Sequence, residues 1–104
     1  MSRASGNVQL DLNSAVFQRH LVNLEKDQQR MVLTTLKKIS EMTWDQLYRD
    51  SGLKWELVVS KTGERGERVY SLRMGKGFRA LADRQGDRLR VHSVYPDHDS
   101  AYGR

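Results

Sequence analysis

The 104-residue chain has no cysteine and a single proline. Without thiols it can form neither disulfides nor cysteine zinc sites, and thiolate catalysis is excluded. No apolar run approaches the ~20 residues of a membrane-spanning helix. The opening MSRASGNVQL lacks the hydrophobic region of a signal peptide, so a soluble, cytoplasmic protein is expected. Internal repeats, low-complexity segments and interdomain linkers are absent as well. One domain over residues 1–104 is therefore expected, burying roughly two-thirds of the surface that its unfolded chain exposes. Residues 1–7, small and polar, are expected to be loose. Ser/His/Asp and Cys/His nucleophile patterns are also missing.

What the chain does have is basic charge, unevenly placed. Its 18 Lys and Arg outnumber 13 Asp and Glu, a formal net charge of +5. Residues 1–52 hold seven basic and six acidic groups, while residues 53–104 hold eleven and seven. A basic second half favours anionic partners such as nucleic acid, although charge alone is shared with many ordinary domains.

Hydrophobic periodicity divides the chain the same way. Val8 to Leu12 alternates and predicts a short strand at a sheet edge. Asn13 or Ser14 can cap a helix carrying Phe17, Leu21 and Leu24, and Asp27 is placed to cap a second one with Val32, Leu36 and Ile39. Thr43-Trp44-Asp45-Gln46 has the form of a capping box opening a short third helix, closed by Gly52. The period then changes to two. Leu53, Trp55, Leu57 and Val59 alternate with Lys54, Glu56 and Val58, and strands follow over Arg68–Met74, Phe78–Asp83 and Arg88–Tyr95. Pro96 ends the last of them. The expected architecture is α+β in two layers, with an N-terminal helical hairpin on one face of a small antiparallel sheet.

The last hairpin permits a register argument. Phe78, Ala80 and Ala82 share a face with Leu89, Val91 and Tyr95 if paired residue numbers add to an odd value. Arg79, Leu81 and Asp83 then share the other face with Arg88, Arg90 and His92. The opposite parity would drive Arg90 and His92 into the core. On the preceding strand, Ser71 and Arg73 face away from Tyr70, Leu72 and Met74.

Several groups could carry chemistry. Gly75-Lys76-Gly77 lies between two strands, so it lacks the helix N-terminus of a phosphate loop and reads as a turn. Lys76 at its tip can still touch a phosphate. Asp97, His98 and Asp99 are adjacent in sequence and diverge in direction, and no helical His spacing exists. No metal and no cofactor are expected. Metal-free RNA cleavage by 2′-OH attack needs a proton acceptor, a proton donor and cations for the developing charge. Histidine and arginine suit those tasks, and tyrosine can orient or stack on a base.

The order strand, helical hairpin, antiparallel sheet, ending in YSLRMGKGFRALADRQGDRLRVHSVYPDHDSAY, resembles the RelE/ParE superfamily of bacterial toxins. The likeness runs from about Val8 to Tyr102. It is most specific at Gly77-Phe78-Arg79, the strand Leu89–Tyr95 and the closing Asp99-Ser100-Ala101-Tyr102. The resemblance implies a RelE-like toxin of a type II toxin–antitoxin pair: an mRNA endonuclease that cuts in the ribosomal A site and is neutralised by a cognate antitoxin. It maps Arg79 and Tyr102 onto the family's catalytic arginine and C-terminal tyrosine. Where RelE-like enzymes often carry two lysines, this chain has Ser71, Leu72 and Arg73, so Arg73 supplies one charge. His98 is the expected proton-transfer residue. Lys54, Lys76, Arg90 and His92 are expected as secondary RNA contacts. The alternatives are a ParE-like gyrase inhibitor and a non-catalytic antitoxin- or RNA-binding module.

Overall fold

A computed structural model describes residues 6–96. The elements run β1 (Gln9–Asp11), α1 (Ala15–Asn23), α2 (Lys26–Ser40), α3 (Trp44–Arg49), β2 (Glu56–Thr62), β3 (Arg68–Gly75), β4 (Phe78–Gln85) and β5 (Arg88–Tyr95). The expected α+β class holds. The expected antiparallel sheet needs correction, because β1 pairs with β5 in parallel and the five-stranded sheet is mixed. Its order is β1-β5-β4-β3-β2, which places β1 at an edge. Asn7, expected to be loose, forms an isolated bridge with Thr43.

Local chemistry explains where the helices begin. The Ser14 hydroxyl accepts from the Phe17 N–H at 3.2 Å and starts α1. Glu25, not Asp27, caps α2: its N–H donates to the Gln28 side chain at 3.1 Å. Asp27 lies in the first turn instead, where its charge favours the positive end of the helix dipole. The Thr43–Gln46 capping box forms as the spacing predicts, with bonds of 2.8 and 3.1 Å. Helix α3 ends at Arg49, before Gly52, and the Asp50 carboxylate accepts from the Leu53 N–H at 2.9 Å. That bond, opposed by burial and reinforced by Lys38, holds the Asp50 carboxyl below its ordinary value.

The helices cover one face of the sheet. Phe17, Val32, Leu36, Ile39, Trp44 and Leu47 pack against Leu72, Met74, Phe78, Ala80, Ala82, Leu89, Val91 and Val94. Each large side chain so buried contributes about 1.5–3 kcal/mol relative to exposure. Because α1 lies over β5 and α2 over β3, the edge strand β2 is beyond their reach. Leu57 and Val59, which alternate with Glu56 and Val58, are accordingly exposed, Val59 by 87%. Val58 is buried instead, on the opposite face, with Val69 and Leu81.

The turns and two register shifts set the geometry of that opposite face, one of the shifts lying between Arg73 and Gly75, where it brings Arg73 opposite Arg79. Gly75 pairs with Phe78, so Lys76-Gly77 is a two-residue turn, and Gly77 takes φ 71°. Gln85 pairs with Arg88 around Gly86-Asp87. The odd parity holds from that turn up to Ala82↔Val91, and then Leu81 pairs with Ser93. His92 is the extra residue, a β-bulge. Past it the alternation reverses: Val94 enters the core, while Tyr95, expected there, lies opposite Arg79 and packs with Val58, Val69 and Leu81. Strand β1 reaches only to Arg90 along β5. Beyond it, α1 serves the exposed strand edge: Ser14 Oγ donates to the His92 carbonyl at 3.0 Å, and His20 Nδ1 accepts from the Val94 N–H at 3.3 Å.

Candidate functional site on the open sheet face

The face away from the helix core carries two polar groups separated by the apolar patch of Val58, Val69 and Leu81. At one end, Arg73 of β3 lies directly opposite Arg79 of β4, and Arg79 in turn lies opposite Tyr95 of β5. Arg79 Nη1 donates to Ser71 Oγ at 3.4 Å, which leans its guanidinium toward the middle of the sheet. Arg73 is exposed. Lys76 projects from the neighbouring turn, exposed. Lys54, exposed with φ 51°, follows Leu53, whose carbonyl accepts from the Arg73 N–H at 2.7 Å. Four of the expected cationic residues thus gather at the β3–β4 turn.

The other end holds Glu67, Asp83, Arg90 and His92. Asp83 is 1% exposed, and its Oδ2 meets both Arg90 Nε, at 3.1 Å, and His92 Nε2. Arg90 Nη2 also donates to Glu67 Oε2 at 2.9 Å. The second Asp83 oxygen, Oδ1, is buried and has no hydrogen-bond partner among the described residues. Asp83 lies four positions along β4 from Arg79, about 13 Å at ~3.3 Å per residue. Arg90 and His92 therefore share a face with Arg79, as the register argument expects. They do not join its cationic group, because carboxylates engage both, which corrects their reading as open RNA contacts.

This second group borders a cleft of about 690 Å³. Ser14, Ala15 and Val16 at the start of α1 line one side, and residues 60–65 of the β2–β3 hairpin line the other. Arg90, His92 and Ser93 also line it, beside Val69 and Leu81. The backbone N–H groups of Glu67 itself and of Arg65, with Arg90 and His92 nearby, hold the Glu67 carboxyl below its ordinary value against an opposing effect of burial. Burial acts to lower the Arg90 pKa, yet the Asp83 hydrogen bond and charge, then Glu67 and Asp11, raise it overall.

Glu67, Asp83 and His92 offer three ligand atoms within 4.8 Å of one another, a donor set of the right type for a divalent ion. The same Oδ2 and Oε2 atoms already bind the Arg90 guanidinium. Arg90 thus takes the position from which a metal ion would neutralise them.

His98 and Tyr102, together with Asp97 and Asp99, lie outside the described residues. Reasoning from sequence missed Glu67 and Asp83 as site residues. For Asp83 a signal existed, since the register argument already placed this carboxylate on the face of Arg90 and His92. Glu67 sits where the hairpin loop joins β3 and carries no local pattern. Comparisons with family models, with curated proteins and with solved structures find no match to this chain.

Proposed function

We propose that this chain is an RNA-cleaving toxin of the RelE-like kind: an mRNA endoribonuclease acting by 2′-OH attack on the ribosome, held in check by a cognate antitoxin. The cross-strand pair Arg73–Arg79 carries this reading. Like charges directly opposite one another in a sheet are destabilising, and two guanidinium groups side by side on one face suit an anion. An anion between the two guanidinium groups turns that cost into binding. A phosphodiester supplies such an anion, and its charge grows in the trigonal-bipyramidal transition state, where two bidentate donors act most strongly. Lys54 and Lys76 extend the cationic surface along the RNA backbone, and Tyr95, beside Arg79, offers a ring to a base.

The test is controlled expression of the wild type and of Arg79→Ala in bacteria, reading growth, translation rate and new mRNA 5′ ends. The wild type is expected to stop translation and to produce cleaved messages, and the variant to do neither. Equal growth and equal translation in the two strains overturn the reading. Defective DNA supercoiling with intact mRNA would transfer the chain to gyrase inhibition.

A further inference from the structure

We propose that His92 is the general acid of this RNA cleavage and that Asp83 is its positioning residue. The inference rests on the RNA-cleavage reading above and adds to it a proton donor that no sequence motif marks. Three observations carry it.

The first is the bulge. Ala82 pairs with Val91 and Leu81 with Ser93, so His92 is released from the ladder. Bulges bend a strand and re-aim a side chain, and they concentrate beside active sites. Here the re-aimed residue borders the cleft.

The second is the way the imidazole is held. Its Nε2 meets Asp83 Oδ2, with Glu67 Oε2 at 4.0 Å. Nδ1 is therefore the nitrogen left to exchange a proton with a substrate. Arg90 bridges Asp83 and Glu67 and keeps both carboxylates in place. Of the other charged groups facing the cleft, Lys61, Glu64 and Arg65 come from the β2–β3 hairpin, while α1 contributes only Ser14, Ala15 and Val16.

The third is the cost of the arrangement. Asp83 is almost fully buried, yet one of its oxygens lacks a partner among the described residues. Buried ion pairs add little to stability compared with apolar packing, and a buried unpartnered polar atom in a native fold calls for an explanation such as a catalytic role.

The placement suits one phosphodiester. The Arg79 guanidinium reaches Ser71, which pairs with Leu81, which pairs with Ser93 beside His92. Strands lie ~4.8 Å apart, so Ser71 and the bulge are about 10 Å apart across β4. A phosphate held by arginine on one side can present its leaving oxygen to His92 on the other. In the reaction the ribose 2′-oxygen bonds to phosphorus and its proton passes to solvent. The bond from phosphorus to the 5′-oxygen breaks, and that oxygen takes the proton from His92 Nδ1. The products are a 2′,3′-cyclic phosphate and a 5′-hydroxyl, and water returns a proton to His92.

The experiment compares cleavage of ribosome-bound message by the wild type, His92→Gln and Asp83→Asn on two linkages: the natural 5′-oxygen ester and a 5′-thio ester, whose leaving group needs no proton. On the oxygen ester His92→Gln is expected to lose about 100-fold or more, and Asp83→Asn to lose less. On the thio ester both variants are expected to recover to near the wild-type rate, a rescue that a merely structural role would not produce. Equal cleavage of the oxygen ester by the wild type and His92→Gln overturns the assignment and leaves the RNA-cleavage reading standing. A loss that the thio ester does not rescue also overturns it. A wild type that cuts neither ester overturns the reading itself, and the assignment with it. Nitrogen-15 spectra of the wild-type imidazole give a check independent of how the variants fold. The neutral ring is expected to carry its proton on Nε2, facing Asp83, and a proton on Nδ1 would overturn the pairing.

Discussion

The two ends of the open sheet face solve opposite electrostatic problems. At the β3–β4 turn, Arg73 and Arg79 face one another across two strands with Lys54 and Lys76 close by. Near the β4–β5 turn, Arg90 and His92 are engaged by Asp83 and Glu67. The first end brings like charges together, and the second pairs its cations with carboxylates. A count of basic residues on the face would have merged the two, yet only in the second are the cations held by carboxylates of the described residues. The second is a cluster in which Asp83 engages both Arg90 and His92, and Arg90 also engages Glu67.

Substitutions can break this contrast or sharpen it. The largest effect is expected from Arg79→Ala, which on the proposed reading removes a donor to the developing phosphate charge. Cleavage should fall by about 100- to 1,000-fold, measured as single-turnover rate on ribosome-bound message. Next comes Asp83→Ala, which strips the compensated end of its buried anion and leaves Arg90 and His92 without it. A loss of about 1–3 kcal/mol in urea unfolding is expected, below the largest values for buried pairs because Arg90 is itself partly exposed. Arg73→Glu makes the first end resemble the second. Turning a like-charge pair into an opposite one should raise stability by about 0.2–1 kcal/mol while removing toxicity. A variant that is both less stable and inactive would show that the pair is not under electrostatic strain.

The smallest effect concerns pH. Glu67 has a folded pKa below the ordinary 4.5, so its contribution to stability is complete above that value and is lost as pH falls through the lower, folded one. Glu67→Gln should be less stable than the wild type near neutrality, and the difference should shrink as pH falls through the folded Glu67 value, giving the variant a shallower acid limb. An unchanged acid limb would show that the Glu67 contacts do not persist in solution.

Much of the fold was legible because it depends on local periodicity. Val32, Leu36 and Ile39 are buried on α2 as their spacing predicts, and Thr43 and Gln46 form their capping box. The faces of β3 and of most of β4 follow from alternation. The failures share a cause. Leu57 and Val59 alternate properly, but whether an inward face is covered depends on how far the helices extend over the sheet. Tyr95 was placed in the core by a parity that is correct only up to the bulge. The Asp27 cap lost to Glu25 because two neighbouring acidic residues compete for one position, and the bond to Gln28 favours the first.

The candidate site divides along the same line. A tight turn at Lys76-Gly77 alone would put Arg73 opposite Ala80, and only the register shift between Arg73 and Gly75 brings it opposite Arg79. By itself the sequence determined that Arg73 shares a face of its strand with Ser71 and that Arg79, Asp83, Arg90 and His92 share a face of the last hairpin. Both results follow from the two-residue repeat of a strand. Only the tertiary structure decided that Asp83 takes hold of Arg90 and His92, that Glu67 arrives from a loop, and that His92 leaves the ladder. A bulge is chosen by the packing on both sides of the sheet, here Val94 inward and Tyr95 outward. That choice belongs to the sum of long-range contacts and has no short-range signature.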